Sequence, residues 1–277
     1  MRPIQLVSAT QVPKGSFWSA TYLGRSLRRF PDGLRPSLRV ACGNSGSSAR
    51  GLSEIFNQAL DSADPGTDLV FLHDDVYLND WFLGAHVAAA LERFDIVGVA
   101  GSANPDPAQP SWGLQFDADL NPLGWQPELR RSGAVNHFDY GCPEVTVYGP
   151  TPLPCALLDG VFLAARASLL QQRGVRFDNR FKFHCYDLDF CRSALEKQLR
   201  LGTWPIAVTH NSGGNYSSSA FKESARLYLD KWRGVELPAQ GTRQPLESGV
   251  AAPRTEPSEL PDAPLPRCQS LAAAERL

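Results

Sequence analysis

The chain has 277 residues, 43% of them hydrophobic, and a formal net charge of −2. That is enough apolar material for one large core or two small ones. The charge excludes a basic field for nucleic acid and an acidic tail for a cationic partner, and no apolar run approaches the ~20 residues that span a bilayer.

Ile4–Ala9 predicts a first strand, and the stretch from Met1 to Thr10 carries no cleavable signal pattern. Phe17–Arg29 has helical spacing, Ser37–Ala41 is a second strand, and Leu52–Ser62 is a helix with Asn57 on its inner turn. A third strand over Leu69–Leu72 is followed by a helix over Trp81–Arg93 and a strand over Asp95–Ala100. Residues 101–155, rich in Pro, Gly, Trp and Asn, predict short strands and loops, an irregular stretch of the length that often carries function. A strand resumes over Leu157–Ala165, with a helix over Asp189–Gln198, a last strand over Pro205–Thr209 and a final helix over Ser218–Arg233. This alternation predicts an α/β fold, a mostly parallel sheet flanked by helices with right-handed crossovers, plus a small irregular subregion. Residues 1–236 form the expected globular domain. Beyond Leu237 the composition turns to Pro, Glu, Ser, Ala and Arg, which predicts a disordered tail over 237–277.

Six cysteines, at 42, 142, 155, 185, 191 and 268, form no Cys-x-x-Cys pair, which argues against a structural zinc site. Read as reduced thiols, they predict a cytoplasmic protein, with room for peripheral contact with a membrane.

Four polar clusters stand out. Leu69–Leu72 ends abruptly in His73-Asp74-Asp75, a set able to hold a divalent cation in the crevice beyond a strand end, or equally to cap the helix near Trp81. Asp159 precedes Gly160 at the start of an apolar run, where it is either a turn residue or a ligand contact. Asp187 and Asp189 flank the start of a helix. One is expected to be its N-cap, and the helix terminus stabilises both as anions, suited to accept a proton. His210 follows a strand and precedes Ser212-Gly213-Gly214, a better place for a ligand histidine than most.

In this order the segments resemble the GT-A glycosyltransferases, specifically the bacterial family 2-like proteins, over about residues 3–233. The corresponding segments are Ile4–Thr10, the helix from Gly51 to Asn57, Val70–Asp75 at the Asp-x-Asp metal motif, Asp159–Phe162 on the acceptor side, Tyr186–Phe190 at the acidic pair, and His210. Two departures are evident: His73 replaces the first motif aspartate, and Tyr-Asp-Leu-Asp stands for the commoner Glu-Asp pair.

The resemblance implies transfer of a sugar from a nucleotide-diphosphate donor to an acceptor hydroxyl, with inversion. It assigns Asp187 as the base and Asp75 and His210 as ligands of Mn²⁺ or Mg²⁺, the imidazole favouring Mn²⁺. Asn44, Asn57, His73 and Asp74 fall on the donor side, with His73 able to meet ribose or metal, and Asp159, Gly160 and Asp189 on the acceptor side. The acceptor is expected to be a glycan, a lipid-linked sugar or a protein. Trp112, Trp125 and Tyr148 could stack on sugars or simply be buried. Three competing readings have weaker support. A nucleotidyltransferase should carry a basic glycine-rich loop where Ser8–Ser19 has only Lys14 and Gly15, and a phosphohydrolase needs denser ligands than five scattered histidines. A non-catalytic sugar-binding protein of the same fold fits a degenerate motif at His73.

Overall fold

The computed structural model describes residues 2–139, 142–212 and 214–238; the predicted tail beyond residue 238 lies outside them. Along the chain run β1 (Ile4–Ala9), α1 (Phe17–Ala20), α2 (Tyr22–Leu27), β2 (Ser37–Ala41), α3 (Leu52–Asp61), β3 (Asp68–Leu72), β4 (Val76–Leu78), α4 (Leu83–Arg93), β5 (Ile96–Gly98) and β6 (Ala100–Ser102). Then follow β7 (Leu114–Phe116), β8 (Pro122–Trp125), β9 (Arg131–Asp139), β10 (Cys142–Gly149), β11 (Leu157–Leu158), β12 (Phe162–Arg166), α5 (Ala167–Arg173), α6 (Tyr186–Glu196), β13 (Leu201–Thr203), β14 (Val208–His210) and α7 (Ser219–Lys231).

The central sheet has the order β13-β5-β12-β3-β1-β2. β1 pairs in parallel with β2 and β3, and β13 with β5, while β12 runs antiparallel between β3 and β5. β3 is buried at all five residues, its apolar run Leu69–Leu72 as a two-sided sheet requires and Asp68 paired with Arg2. A second sheet, β11-β6-β9-β14-β4, carries β10 on β9, and β7 and β8 form a separate hairpin.

The chain changes sheets at the polar clusters. His73-Asp74-Asp75 joins β3 of the first sheet to β4 of the second, and Asp159-Gly160-Val161 joins β11 of the second to β12 of the first. Two predicted strands therefore split. Asp95–Ala100 divides at Val99 and Leu157–Ala165 at Asp159, because each apolar run serves two sheets. The predicted helix Phe17–Arg29 breaks at Thr21, which is extended (φ −95°, ψ 151°) and caps α2 by accepting from Gly24 N. Within 101–155 the structure forms a long β9–β10 hairpin.

The segment between α5 and α6 is stitched to α3. Ser53 Oγ donates to Phe181 O at 2.6 Å, Asn57 Nδ2 donates to Phe177 O at 2.7 Å, and Phe177 N donates to Asn57 Oδ1 at 3.0 Å. Phe177 stacks on Phe190 at 4.1 Å, and Phe56 meets Phe71 and Tyr186 edge-on or tilted at 5.0 and 5.8 Å. This aromatic core fixes the N-terminus of α6, hence Tyr186 and Asp187. Among the described residues no helix is long and apolar enough to cross a membrane.

Candidate active site

A cavity of about 750 Å³ opens at the seam between the sheets, lined on one side by His73, Asp75 and His210 and on another by Asp159, Gly160 and Asp187. Strand pairing brings the first three together. β14 lies antiparallel to β4, with His210 opposite Val76, and parallel to β9, with His210 opposite His137. His210 therefore stands beside the residue that follows Asp75, although 135 positions separate the two carboxylate and imidazole carriers in sequence (210 − 75).

His210 Nε2 lies 3.3 Å and His73 Nδ1 3.9 Å from Asp75 Oδ1, and one ligand atom of each residue falls within 4.8 Å of the others. Asp75 Oδ1 and His210 Nε2 are both buried without a well-formed hydrogen bond. Buried polar atoms are rarely left so, and two orphaned lone-pair carriers aimed at a common point suit a cation. An imidazole–carboxylate–imidazole set fits a divalent transition metal better than Mg²⁺, which prefers oxygen. Burial works against a charged His210, but the neighbouring Asp75 carboxylate more than offsets it and holds the imidazole above its ordinary value. Burial also pushes Asp75 up, and His210 and His73 together bring it below the usual carboxylate range. His73 is lowered, chiefly by burial.

A hydrogen-bond chain links this cluster to Asp187. The Tyr186 hydroxyl donates its one proton to Gly160 O at 3.0 Å, so it accepts at 2.9 Å from His73 Nε2, which must carry a hydrogen. In neutral His73 the Nδ1 lone pair is then the one facing Asp75. On the other side of the same glycine, Gly160 N donates to Asp187 Oδ2 at 2.8 Å. Only glycine fits there: a Cβ at 160 would lie 2.4 Å from Tyr186 Oη and 3.0 Å from Asp187 Cβ. Burial, then repulsion from Asp159, pushes Asp187 up to about 7 against the pull of backbone N–H groups from Gly160 and Leu188. Asp159 is itself fixed, accepting from Trp112 Nε1 at 2.8 Å and from Val161 N at 2.8 Å.

Several expectations need correction. α6 begins at Tyr186, so neither Asp187 nor Asp189 is its N-cap. Cys185 holds that position at φ 58°, and both carboxylates lie in the first turn. Asp189, expected on the acceptor side, stands apart from the cavity. It is fully buried, accepting from Trp232 Nε1 at 2.9 Å and pairing with Lys231 Nζ at 2.7 Å. Asn57, placed on the donor side, has its carboxamide committed to Phe177 and Asn179. Asn44 closes its own loop, donating to Arg50 O at 2.9 Å and accepting from Arg50 N at 2.8 Å. Asp74 stands apart from the cavity beside Thr10, its carboxyl raised chiefly by burial.

Tyr186, His137 and His184, none of them marked out by sequence, also line the cavity. Tyr186 directly precedes Asp187, and that adjacency was the signal available. His137 lies on β9, in the segment read as irregular. Four of the five histidines thus converge on one cavity.

Neither a protein-family model nor a curated protein matches the sequence. Solved structures do. GalNAc-T7 with UDP, GalNAc and Mn²⁺ is similar at a TM-score of 0.51 and 12% identity, over 84% of this chain and 48% of that one, so the chain spans about half of its length. A mannosyltransferase, PcManGT from Pyrobaculum calidifontis in complex with GDP-Man and Mn²⁺, gives 0.46 and 12% over 87% and 67%. S. aureus TarS 1-349 gives 0.44 and 13% over 86% and 67%. At these identities the likeness is one of architecture: the chain has a GT-A-type glycosyltransferase fold.

Proposed function

We propose that the protein transfers a sugar from a nucleotide-diphosphate donor to an acceptor hydroxyl, inverting the anomeric configuration. The observation that carries this reading is the pairing, in one cavity, of the His73/Asp75/His210 cluster with a half-buried Asp187 poised near neutrality. Asp187 takes the proton of the acceptor hydroxyl as the new oxygen–carbon bond forms. The bond from the anomeric carbon to the diphosphate breaks with its electron pair, and a nucleoside diphosphate departs. A single displacement of this kind inverts the centre, and a carboxyl held near 7 is matched to proton transfer at neutral pH. The Gly160 N–H orients Asp187, and Asp159, held by Trp112, offers its remaining lone pairs to sugar hydroxyls. His73, Asp75 and His210 would hold a divalent cation, Mn²⁺ in preference to Mg²⁺, which when bound supplies positive charge to the departing diphosphate. The UDP, GalNAc and Mn²⁺ of the GalNAc-T7 structure support this choice of donor class and metal as first probes.

The acceptor belongs to the glycans, lipid-linked sugars or proteins. The free thiols of Cys42, Cys185 and Cys191 support a cytoplasmic location. Calorimetric titration with UDP- and GDP-sugars, with and without Mn²⁺, tests the reading. Metal-dependent binding of one donor and its slow consumption are expected. Absence of binding by every nucleotide sugar would sink it, and binding without consumption under all acceptors would favour a binding protein of the same fold.

A further inference from the structure

The far wall of the cavity is aromatic and built. Trp112, Trp125 and Tyr148 contact one another with ring centroids 5.5, 5.1 and 5.4 Å apart. Trp112 is buried and tied to Asp159, whereas Trp125 remains 45% exposed. That exposed indole is nonetheless fixed. It lies so close to Gly113 that a Cβ there would be 2.7 Å from Trp125 Cζ3, and the Arg131 guanidinium stands over the ring at 5.1 Å. The β7–β8 hairpin that carries it is pinned to α7, where Lys222 Nζ donates to Asp119 O at 2.9 Å and to Asn121 Oδ1 at 2.7 Å. A large aromatic side chain held rigid with part of its surface open costs little entropy to cover.

The charge of the cavity narrows what can cover it. Asp75, Asp159 and Asp187 line it, and among the described residues no Lys or Arg does. Arg131 stands over the Trp125 ring without lining the cavity, so beyond the His73/Asp75/His210 cluster the carboxylates of Asp159 and Asp187 set a lining that favours neutral ligands over anions. A pyranose offers what this wall lacks a partner for: an apolar C–H face for the indole and hydroxyl donors for Asp159.

We propose that Trp125, backed by Trp112 and Tyr148, is the acceptor subsite of this cavity and that it takes a neutral saccharide, stacked on the indole and hydrogen-bonded to Asp159. This rests on the glycosyl-transfer reading and sharpens it: sugar phosphates and phosphate-rich polymers are poor acceptors. The subsite adjoins the proposed base, since Trp112 binds Asp159, and the next residue, Gly160, binds Asp187.

Saturation-transfer NMR on the full chain tests it, using cellobiose, lactose, maltose and chitobiose against glucose 1-phosphate and glucose 6-phosphate. At least one neutral disaccharide is expected to receive saturation at its ring C–H protons, and neither phosphate to exceed it. Trp125→Ala and Trp125→Leu, the latter keeping apolar bulk without the π face, should weaken that binding by about tenfold, while Trp125→Phe retains most of it. Melting temperatures identify any variant that fails to fold. The proposal is overturned if no disaccharide responds, if the response survives in a folded Trp125→Ala or Trp125→Leu protein, or if the phosphates bind better. Donor titration of the unsubstituted protein separates the two readings: lost donor binding sinks transfer, whereas donor binding without a saccharide response sinks only this subsite.

Discussion

Asp187 and Tyr186 make different demands at the scale of the residue. Asp187→Asn keeps the volume but cannot accept a proton, so turnover should fall by ~10²-fold or more with donor affinity little changed. Turnover of the unsubstituted protein should rise with pH through about 7, as the base ionises. Stability should move the other way. A carboxyl whose folded-state value is raised favours folding while protonated, and that contribution is lost as pH climbs from its unfolded value of about 4 through about 7. Asp187→Asn should therefore melt higher than the unsubstituted protein at pH 8 and close to it at pH 4. Differential scanning fluorimetry across that range checks the sign. Tyr186→Phe removes the acceptor of the His73 Nε2 hydrogen and frees the ring to change tautomer, so Mn²⁺ affinity followed by electron paramagnetic resonance should drop roughly 10–100-fold. An unchanged affinity would show that His73 needs no partner to present Nδ1. His73, Asp75 and His210 stood out in sequence because each follows an apolar run, and Asp159 because it precedes one, whereas His137 and His184 did not. Nor did Tyr186, since a tyrosine in an aromatic core looks like packing until its hydroxyl is located.

Among the elements, α3 is tied to the segment before α6 through one side chain. Asn57→Ala leaves Phe177 N and O without their partner in a buried setting, which should cost about 1–3 kcal/mol. For a domain of this size each kcal/mol lowers the melting temperature by roughly 2–4 °C. A wild-type melting curve would mean that Phe177 finds other partners. Several elements in the first hundred residues were readable because their apolar spacing is regular: Ile4–Ala9 and Ser37–Ala41 stand where expected. The single run Leu157–Ala165 concealed a change of sheet, since hydrophobicity reports burial and not which sheet buries it. The β9–β10 hairpin was hidden for the opposite reason. Val145 and Val147, 59% and 70% exposed, face away from any core, so the alternation that marks a strand carries no burial there.

For the molecule as a whole, the site unites residues 73 to 210, so it exists only when both sheets are docked. A chain ending at Pro238 should keep its melting temperature within a few degrees and its donor binding intact, because the composition beyond Leu237 offers little to bury. A large loss in either would show that the tail is integral. One feature of the second sheet bears on how such a protein could diversify. Ser102 and Arg131 are opposite each other in the β6–β9 ladder, and Ala103 N donates to Arg130 O at 2.9 Å, so residues 103–130 leave and re-enter the sheet at one point. They carry Trp112 and Trp125 but no strand of either large sheet. The segment is thus a cassette with adjoining ends, and lengthening such a loop costs only about 0.6 kcal/mol per doubling. Exchange of residues 103–130 for a segment of other length and composition would rewrite what the cavity recognises while His73, Asp75, His210 and Asp187 stay in place, separating the evolution of taste from that of chemistry.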